Sequence, residues 1–456
     1  MISPGLFVAI IGGAVAGSEA ASRLSARNIN CVVFEQNALP YGKLETGLPK
    51  WHVNLRNEQE KKIDSKLRHP LVHYVPCTQL GKHLSFRELI QTWNFSAVLL
   101  ATGAWQDRPL PVAGIDVYIN KGLYYQNPFV AWFNRNHDPN YQDPFFEILD
   151  GALVIGGGLA SLDVIKILSI ETVRSSLQQR GYTVDVLTLE KKGIFEVLKE
   201  LNLSVSELGI KGCTLYYRRQ LNEMPLTSLP AQPSAKEIAT SHRVRHKIME
   251  NFHRKYFFNF KECHYPIDFI ADSDRLKGIV FEKTAVMDGR LISLADSHYQ
   301  VSCPLVISAI GSLPEAIPDI PFQDGIFKVK DQASGQLEGY ENVFVLGNAI
   351  TGRGNIKESE IHGRQVAEKV MDEYLVWQED DYREIFSRAE TGSQVTIEQI
   401  YNKLVGNDSK RFLLSSQQIE DIYTRIRELQ RRAGYAGDYD NWIKKHLPVR
   451  IEDLLV

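Results

Sequence analysis

Two glycine-rich turns occur in this chain: Gly12-Gly13-Ala14-Val15-Ala16-Gly17 after the apolar run Phe7 to Ile11, and Gly156-Gly157-Gly158-Leu159-Ala160-Ser161 after Ala152 to Ile155. Each joins an apolar run short enough for a buried parallel strand to a stretch that opens as a helix, through a turn of minimal side chains. That order sets free backbone N–H groups and the positive end of a helix around the turn, which suits a pyrophosphate. One such turn also serves merely to reverse a chain. Two in succession predict an α/β chain with two Rossmann-like dinucleotide-binding domains.

Bulk properties narrow the field. At 456 residues the chain has room for roughly two to three domains. With 44% hydrophobic and 23% charged residues it is neither a disordered nor a membrane chain by composition, and a net charge of −3 gives no general attraction for nucleic acid. Cys31, Cys77, Cys213, Cys263 and Cys303 are scattered without a Cys-x-x-Cys pair, so no zinc knuckle, iron–sulfur run or redox dithiol is legible. The N-terminal apolar stretch runs into Gly12 and Glu19 without a basic leader, as a strand does and a signal peptide does not. No uncharged apolar run approaches the roughly 18 residues of a membrane span. The expectation is a cytoplasmic chain with no nucleic-acid or membrane partner.

What flanks each turn makes the two unequal. Ser18 to Ala26 reads as a helix with alanines at close-packing positions, and a second strand, Cys31 to Phe34, ends in Glu35. A carboxylate about 20 residues past the turn can accept both ribose hydroxyls of an adenosine and repels a 2′-phosphate. Gly12, Ala14, Gly17 and Glu35 are therefore candidate ligands of FAD or NAD, with Ala14 standing where the fingerprint has its middle glycine. Beyond the second turn, Gly156, Gly158 and Ser161, no acidic strand end is clear. The strand Cys213 to Tyr217 ends instead in Arg218-Arg219. Paired guanidinium groups suit a dianionic 2′-phosphate, which favours NADPH. Val98 to Ala104, with Gly103, and Val343 to Asn348, with Gly347, resemble the closing strands of two-dinucleotide flavoproteins, where Asn348 stands in place of the usual Asp beside the ribityl chain.

At this point a family resemblance is specific. The chain resembles the adrenodoxin reductase and bacterial FprA-type ferredoxin–NADP reductase family, with kinship to the glutamate synthase small subunit. The segments Pro40 to Pro49, Leu80-Gly81-Lys82 through Leu89, Phe129 to Asn134, Tyr217-Arg218-Arg219, and Arg254 to Phe258 with Pro266-Ile267 carry it, in family order, to about residue 370. The resemblance implies a glutathione-reductase-like architecture: an FAD domain from 1–107 and 313–456, an NADP domain at 108–312 inserted into it, and a helical C-terminal extension from about 371. It assigns Gly42, Leu44, Gly354 and Ile356 to the FAD pocket, His52 to the place where nicotinamide meets flavin, and Glu237 as the carboxylate paired with it. Glu45-Thr46 replaces the family's Arg-aromatic pair.

The implied activity is hydride transfer from NADPH to FAD, then electrons to an external one-electron carrier, ferredoxin or flavodoxin. A basic segment, Ser241 to Glu250, matches the helix that docks an acidic ferredoxin in adrenodoxin reductase, with Arg243, Arg245 and Lys247 as contacts. Residues 169 to 211 are expected to be helical, although Tyr182 to Glu190 alternates like a strand. The later helix Gln417 to Arg432 shows a buried stripe, Ile419, Ile422, Ile426 and Leu429, with arginines elsewhere. A homodimer stays open. So do an electron-transfer subunit of a larger glutamate-synthase-like enzyme, a flavin monooxygenase and a redox-sensing protein that merely carries FAD.

Overall fold

In the computed structural model the described residues are 5–142, 144–230, 232–287, 289–352, 355–375 and 413–454. They form two compact units. The first comprises Met1–Glu45, Asn54–Gln106 and Ser312–Pro448; the second comprises Thr46–Val53, Asp107–Gly311 and Val449–Val456.

The first unit is built on a five-stranded parallel sheet in the order Val343–Val345, Ala97–Leu100, Phe7–Ile11, Asn30–Phe34, Val72–Val75. Its central strands are buried at nearly every position, as strands covered on both faces must be, which is why they read as continuous apolar runs. Val8 is opposite both Cys31 and Ala97, so the Gly12 turn leaves the sheet where the strand order reverses. Helix Val15–Ala26 packs closely on helix Ile356–Lys369: a Cβ on Gly363 would lie 2.7 Å from the Ala16 carbonyl oxygen.

On the sheet's other face lies helix Ser416–Ala433, begun by a Ser415–Gln418 capping box and stopped by Gly434 in the left-handed region (φ 75°). Ile419, Ile422 and Ile426 are buried and join the core of Phe7, Phe34, Val98 and Val343, with Leu429 partly buried beside them. The predicted stripe is the observed one. Each isoleucine stabilises the unit by about 2 kcal/mol through burial.

The second unit has its own five-stranded parallel sheet, ordered Leu123–Tyr125, Val306–Ala309, Leu153–Gly156, Cys213–Tyr216, Phe258–Lys261. Helix Leu159–Gln179 buries Leu162, Ile165 and Ile170 in its core. A four-stranded antiparallel sheet, His264–Asp272, Arg275–Met287, Arg290–Ser293 and Tyr299–Ser302, is added, with Tyr216 stacked on Phe281 at 4.2 Å between ring centroids.

The alternation over Tyr182 to Glu190 does not make a strand. Asp185 caps the Thr188 amide at 2.9 Å, and helix Val186–Lys192 buries Val186 and Leu189, three positions apart, on one face. Helix Ile194–Glu200 follows after Gly193. The region is helical, as expected. Residues 46–53 and 449–456 fall with the second unit, whereas the anticipated division kept both with the first. Trp51 packs on Phe133 at 5.1 Å, and Ile451 enters the second unit's core.

Candidate functional site

The first glycine turn is closed by its neighbours. The Gly12 amide donates to the Phe34 carbonyl at 2.8 Å, and Gly12 has φ 100°; a Cβ there would sit 2.5 Å from the Ala101 carbonyl oxygen. On Gly17 a Cβ would lie 1.9 Å from the Gly12 oxygen, so only glycine lets the helix start this close to the strand. Ala14 is the helix N-cap, without a side-chain cap, and the first turn holds no acidic residue. Those N–H groups face whatever fills the turn. Ala14's methyl points at Gly42, where a Cβ would come within 2.9 Å of it. The chain thus accommodates its departure from the fingerprint with a second glycine.

Glu35 is 3% exposed. Its Oε2 accepts the Gly13 amide at 2.8 Å, and its Oε1 accepts the Asn37 amide and side chain at 3.0 and 3.1 Å. Burial pushes its carboxyl upward against these stabilising bonds. Two loops leave the same sheet edge beside the turn. Gly103 (φ 72°) follows Thr102, and Gly347 (φ 71°) precedes Asn348. Thr102 Oγ1 and Asn348 Oδ1 are buried without hydrogen-bond partners. Orphaned polar atoms beside an open helix start fit a hydroxyl-rich dinucleotide such as FAD. The Gly347 amide donates to His362 Nδ1 at 3.0 Å. Leu44 is buried, Ile356 opens a helix capped by Asn355, and Gly354 lies outside the described residues.

The second turn is tighter on one side and open on the other. A Cβ on Gly156 would meet the Ala309 carbonyl oxygen at 2.5 Å, whereas Gly158 has nothing within 4 Å. Helix Leu159–Gln179 again starts without a side-chain cap or first-turn acid. Ser161 Oγ donates back to the Gly158 carbonyl at 2.7 Å. The two arginines after Cys213–Tyr216 are unequal. Arg219 Nη1 is paired with Glu223 at 2.8 Å, and Arg218 is exposed. Their backbones are pinned by Thr284 Oγ1, which donates to the Arg218 carbonyl at 2.7 Å, and by the Cys263 amide on the Arg219 carbonyl at 3.2 Å. Arg218 is the cation presented to solvent.

His52 lies in the segment that groups with this second unit, its Nε2 3.8 Å from Asp163 Oδ1. Asp163 sits in the second turn of the Leu159–Gln179 helix and was not singled out in the sequence, because nothing local distinguishes it from a solvated helix acid. Lys166, one turn further, is buried with Nζ 4.4 Å from the Trp51 ring and 2.5 Å from Glu190; burial lowers its pKa.

Two predicted roles are corrected. Glu237 is exposed and closes the capping box at the start of helix Ala235–Lys255, its Oε2 accepting the Ser234 amide at 2.8 Å and hydroxyl at 2.7 Å. The carboxylate beside His52 is Asp163. Arg245 is 5% exposed and donates Nε to the Met224 carbonyl at 2.6 Å. It shares the inner face with Ser241 and Met249, four residues to either side, and only Arg243 and Lys247 of the predicted trio are exposed.

No family model matches the chain. It is 30% identical to cindoxin reductase of Citrobacter braakii over 164 residues, 36% of this chain and 34% of the relative. The match thus spans about a third of that protein's length. It is 22% identical to the mitochondrial NADPH:adrenodoxin oxidoreductase of Arabidopsis thaliana over 352 residues, 70% of each. Among solved structures, Mycobacterium tuberculosis FprA in complex with NADPH superposes with a TM-score of 0.63 at 19% identity, covering 93% of this chain and 91% of that one. The chain has the fold of Mycobacterium tuberculosis FprA and is similar in sequence, over parts of its length, to reductases named for cindoxin and adrenodoxin.

Proposed function

We propose that this chain is an FAD-dependent oxidoreductase that oxidises NADPH and passes the electrons to an external one-electron carrier of the ferredoxin or flavodoxin class. The observation that carries this reading is that each glycine turn ends a strand of its own parallel sheet, with a carboxylate behind the first and an exposed arginine behind the second. The Arabidopsis relative is named for NADPH and adrenodoxin, and the FprA structure holds NADPH. Both support the same assignment here. Bound FAD would supply the step from a two-electron donor to a one-electron acceptor.

The residues of the chain bind and orient. The uncapped start of helix Val15–Ala26 would hold the FAD pyrophosphate, and Asn348 and Thr102, whose buried Oδ1 and Oγ1 have no partner, would bind its hydroxyls. Gly158 admits the NADPH pyrophosphate, and Arg218 pairs with its 2′-phosphate. His52 and Asp163, 3.8 Å apart, lie on the unit that carries the second glycine turn. Arg243 and Lys247 offer an acidic carrier two exposed cations on one helix. All five cysteines are unpaired, which suits a reducing compartment such as the cytoplasm. No helix among the described residues is long and apolar enough to cross a membrane.

The test is anaerobic stopped-flow mixing of the flavin-loaded protein with NADPH or NADH, then with ferredoxins and flavodoxins. NADPH should bleach the flavin much faster than NADH, and a carrier should restore its colour. Equal rates with the two nucleotides would remove the Arg218 assignment, and failure of every carrier would remove the ferredoxin reductase reading.

A further inference from the structure

Helix Tyr439–His446, near the C-terminus, reaches the loop that lies over the first glycine turn. Trp442 Nε1 donates to the Ala38 carbonyl at 2.7 Å, an oxygen that Tyr74 Oη also binds at 3.0 Å. Tyr439 Oη donates to Asp64 Oδ1 at 2.8 Å, and the same carboxylate takes Tyr41 Oη at 3.1 Å. All three residues of this tyrosine–carboxylate–tyrosine chain are buried. The rings interlock as well: Tyr74 meets Tyr439 at 5.3 Å and Tyr435 at 5.9 Å, and Tyr435 meets Trp442 at 5.4 Å.

The held loop is the one that touches the turn. A Cβ on Gly13 would lie 3.0 Å from Pro40 Cβ, and Gly42 faces Ala14 at 2.9 Å. Asn37, at the loop's start, donates to Glu35. Ala38 and Tyr41, the two points gripped from the C-terminal side, flank Pro40. A segment needed only to fill the core would not send an indole N–H and a phenol to that backbone and to Asp64; Ile419, Ile422 and Ile426 already fill the core from the preceding helix.

We propose that Tyr439, Asp64 and Trp442 are positioning residues for the dinucleotide of the first cradle: they press the 36–42 loop onto the glycine turn and so set how tightly the cofactor is retained. The inference rests on reading that cradle as an FAD site.

The test uses Tyr439→Phe, which keeps the ring and removes the hydroxyl, Trp442→Phe, which removes the indole N–H and leaves a smaller aromatic ring, and the double variant. The deflavinated proteins are titrated with FAD by quenching of flavin fluorescence, and backbone hydrogen exchange is followed without cofactor. The double variant should bind FAD about tenfold more weakly, the effect of losing hydrogen bonds to a buried carboxylate and a carbonyl. Exchange should quicken within 36–42 and stay unchanged in Phe7–Ile11, with NADP⁺ affinity also unchanged. Asp64→Asn, which keeps one acceptor oxygen, should fall between wild type and Tyr439→Phe. Wild-type FAD affinity in the double variant, or faster exchange across the whole first sheet, would overturn the proposal. If the wild-type protein itself takes up no FAD, the cofactor reading fails and this inference with it.

Discussion

Glu35 holds its own turn shut before any cofactor arrives, since one oxygen carries Gly13 and the other carries Asn37. Glu35→Ala should therefore destabilise the first unit by about 1–3 kcal/mol, the effect of orphaning buried donors, as well as weaken FAD binding. Glu35→Gln, which keeps one acceptor, should lose less in a urea titration. The arginine pair divides in the opposite sense. Arg218→Ala should raise KM for NADPH by about tenfold or more and leave NADH nearly untouched, because a charge-assisted bond to the 2′-phosphate is available only to NADPH; equal effects on the two nucleotides would sink the assignment. His73 gives a pH test. Burial lowers its pKa from 6.5 to about 4, and its Nε2 has no partner. A folded-state value below the unfolded one means stability fully present above pH 6.5 and lost as pH falls towards 4. His73→Phe, among the rings of Phe7 and Tyr423, should flatten that acid limb, read as urea midpoints at pH 5 and pH 7.

Helix Ala235–Lys255 divides its basic residues between two faces, Arg245 buried and Arg243 and Lys247 exposed, and the proposed carrier contact falls to the exposed pair. Arg243→Glu with Lys247→Glu should raise KM for an acidic carrier and weaken its salt dependence, with the melting temperature unchanged. Arg245→Ala should do the reverse, lowering stability because the Met224 carbonyl loses its donor. Basic composition made this helix legible in the sequence, but the split between the faces was not, since it depends on the inward Ser241–Arg245–Met249 row. The capping box is a similar case. Ser234 followed three residues later by Glu237 is a helix-start signal in its own right, and the structure puts that glutamate in the capping box, with Asp163 as the carboxylate near His52. By contrast, the Ser416–Ala433 stripe was read correctly because one amphipathic helix against one sheet has few ways to bury four apolar residues. Ile422→Ala should cost about 2–5 kcal/mol there.

Across the whole molecule, the chain leaves the first unit at residues 106–107 and returns at 311–312, so each parallel sheet carries its own glycine turn. FAD added to deflavinated protein at about a hundredfold over its dissociation constant should stabilise it by about 2.7 kcal/mol, and NADP⁺ should add a separate increment that Arg218→Ala alone removes. Calorimetry with each ligand in turn checks this; a common response to both ligands in that variant would count against two distinct sites. Strands, turns and the helices that follow them were legible because their apolar runs and glycine spacings are local. Glu35 and the arginines were legible for the same reason, as each ends a strand. The sequence by itself thus determined two strand–glycine turn–helix units, the first followed by a carboxylate and the second by an arginine pair. Tertiary structure alone decided which carboxylate stands beside His52, which arginines face solvent, that residues 46–53 pack with the second unit, and that Tyr439 and Trp442 hold the 36–42 loop. Those outcomes depend on contacts between residues far apart in the chain, and no spacing along it records them.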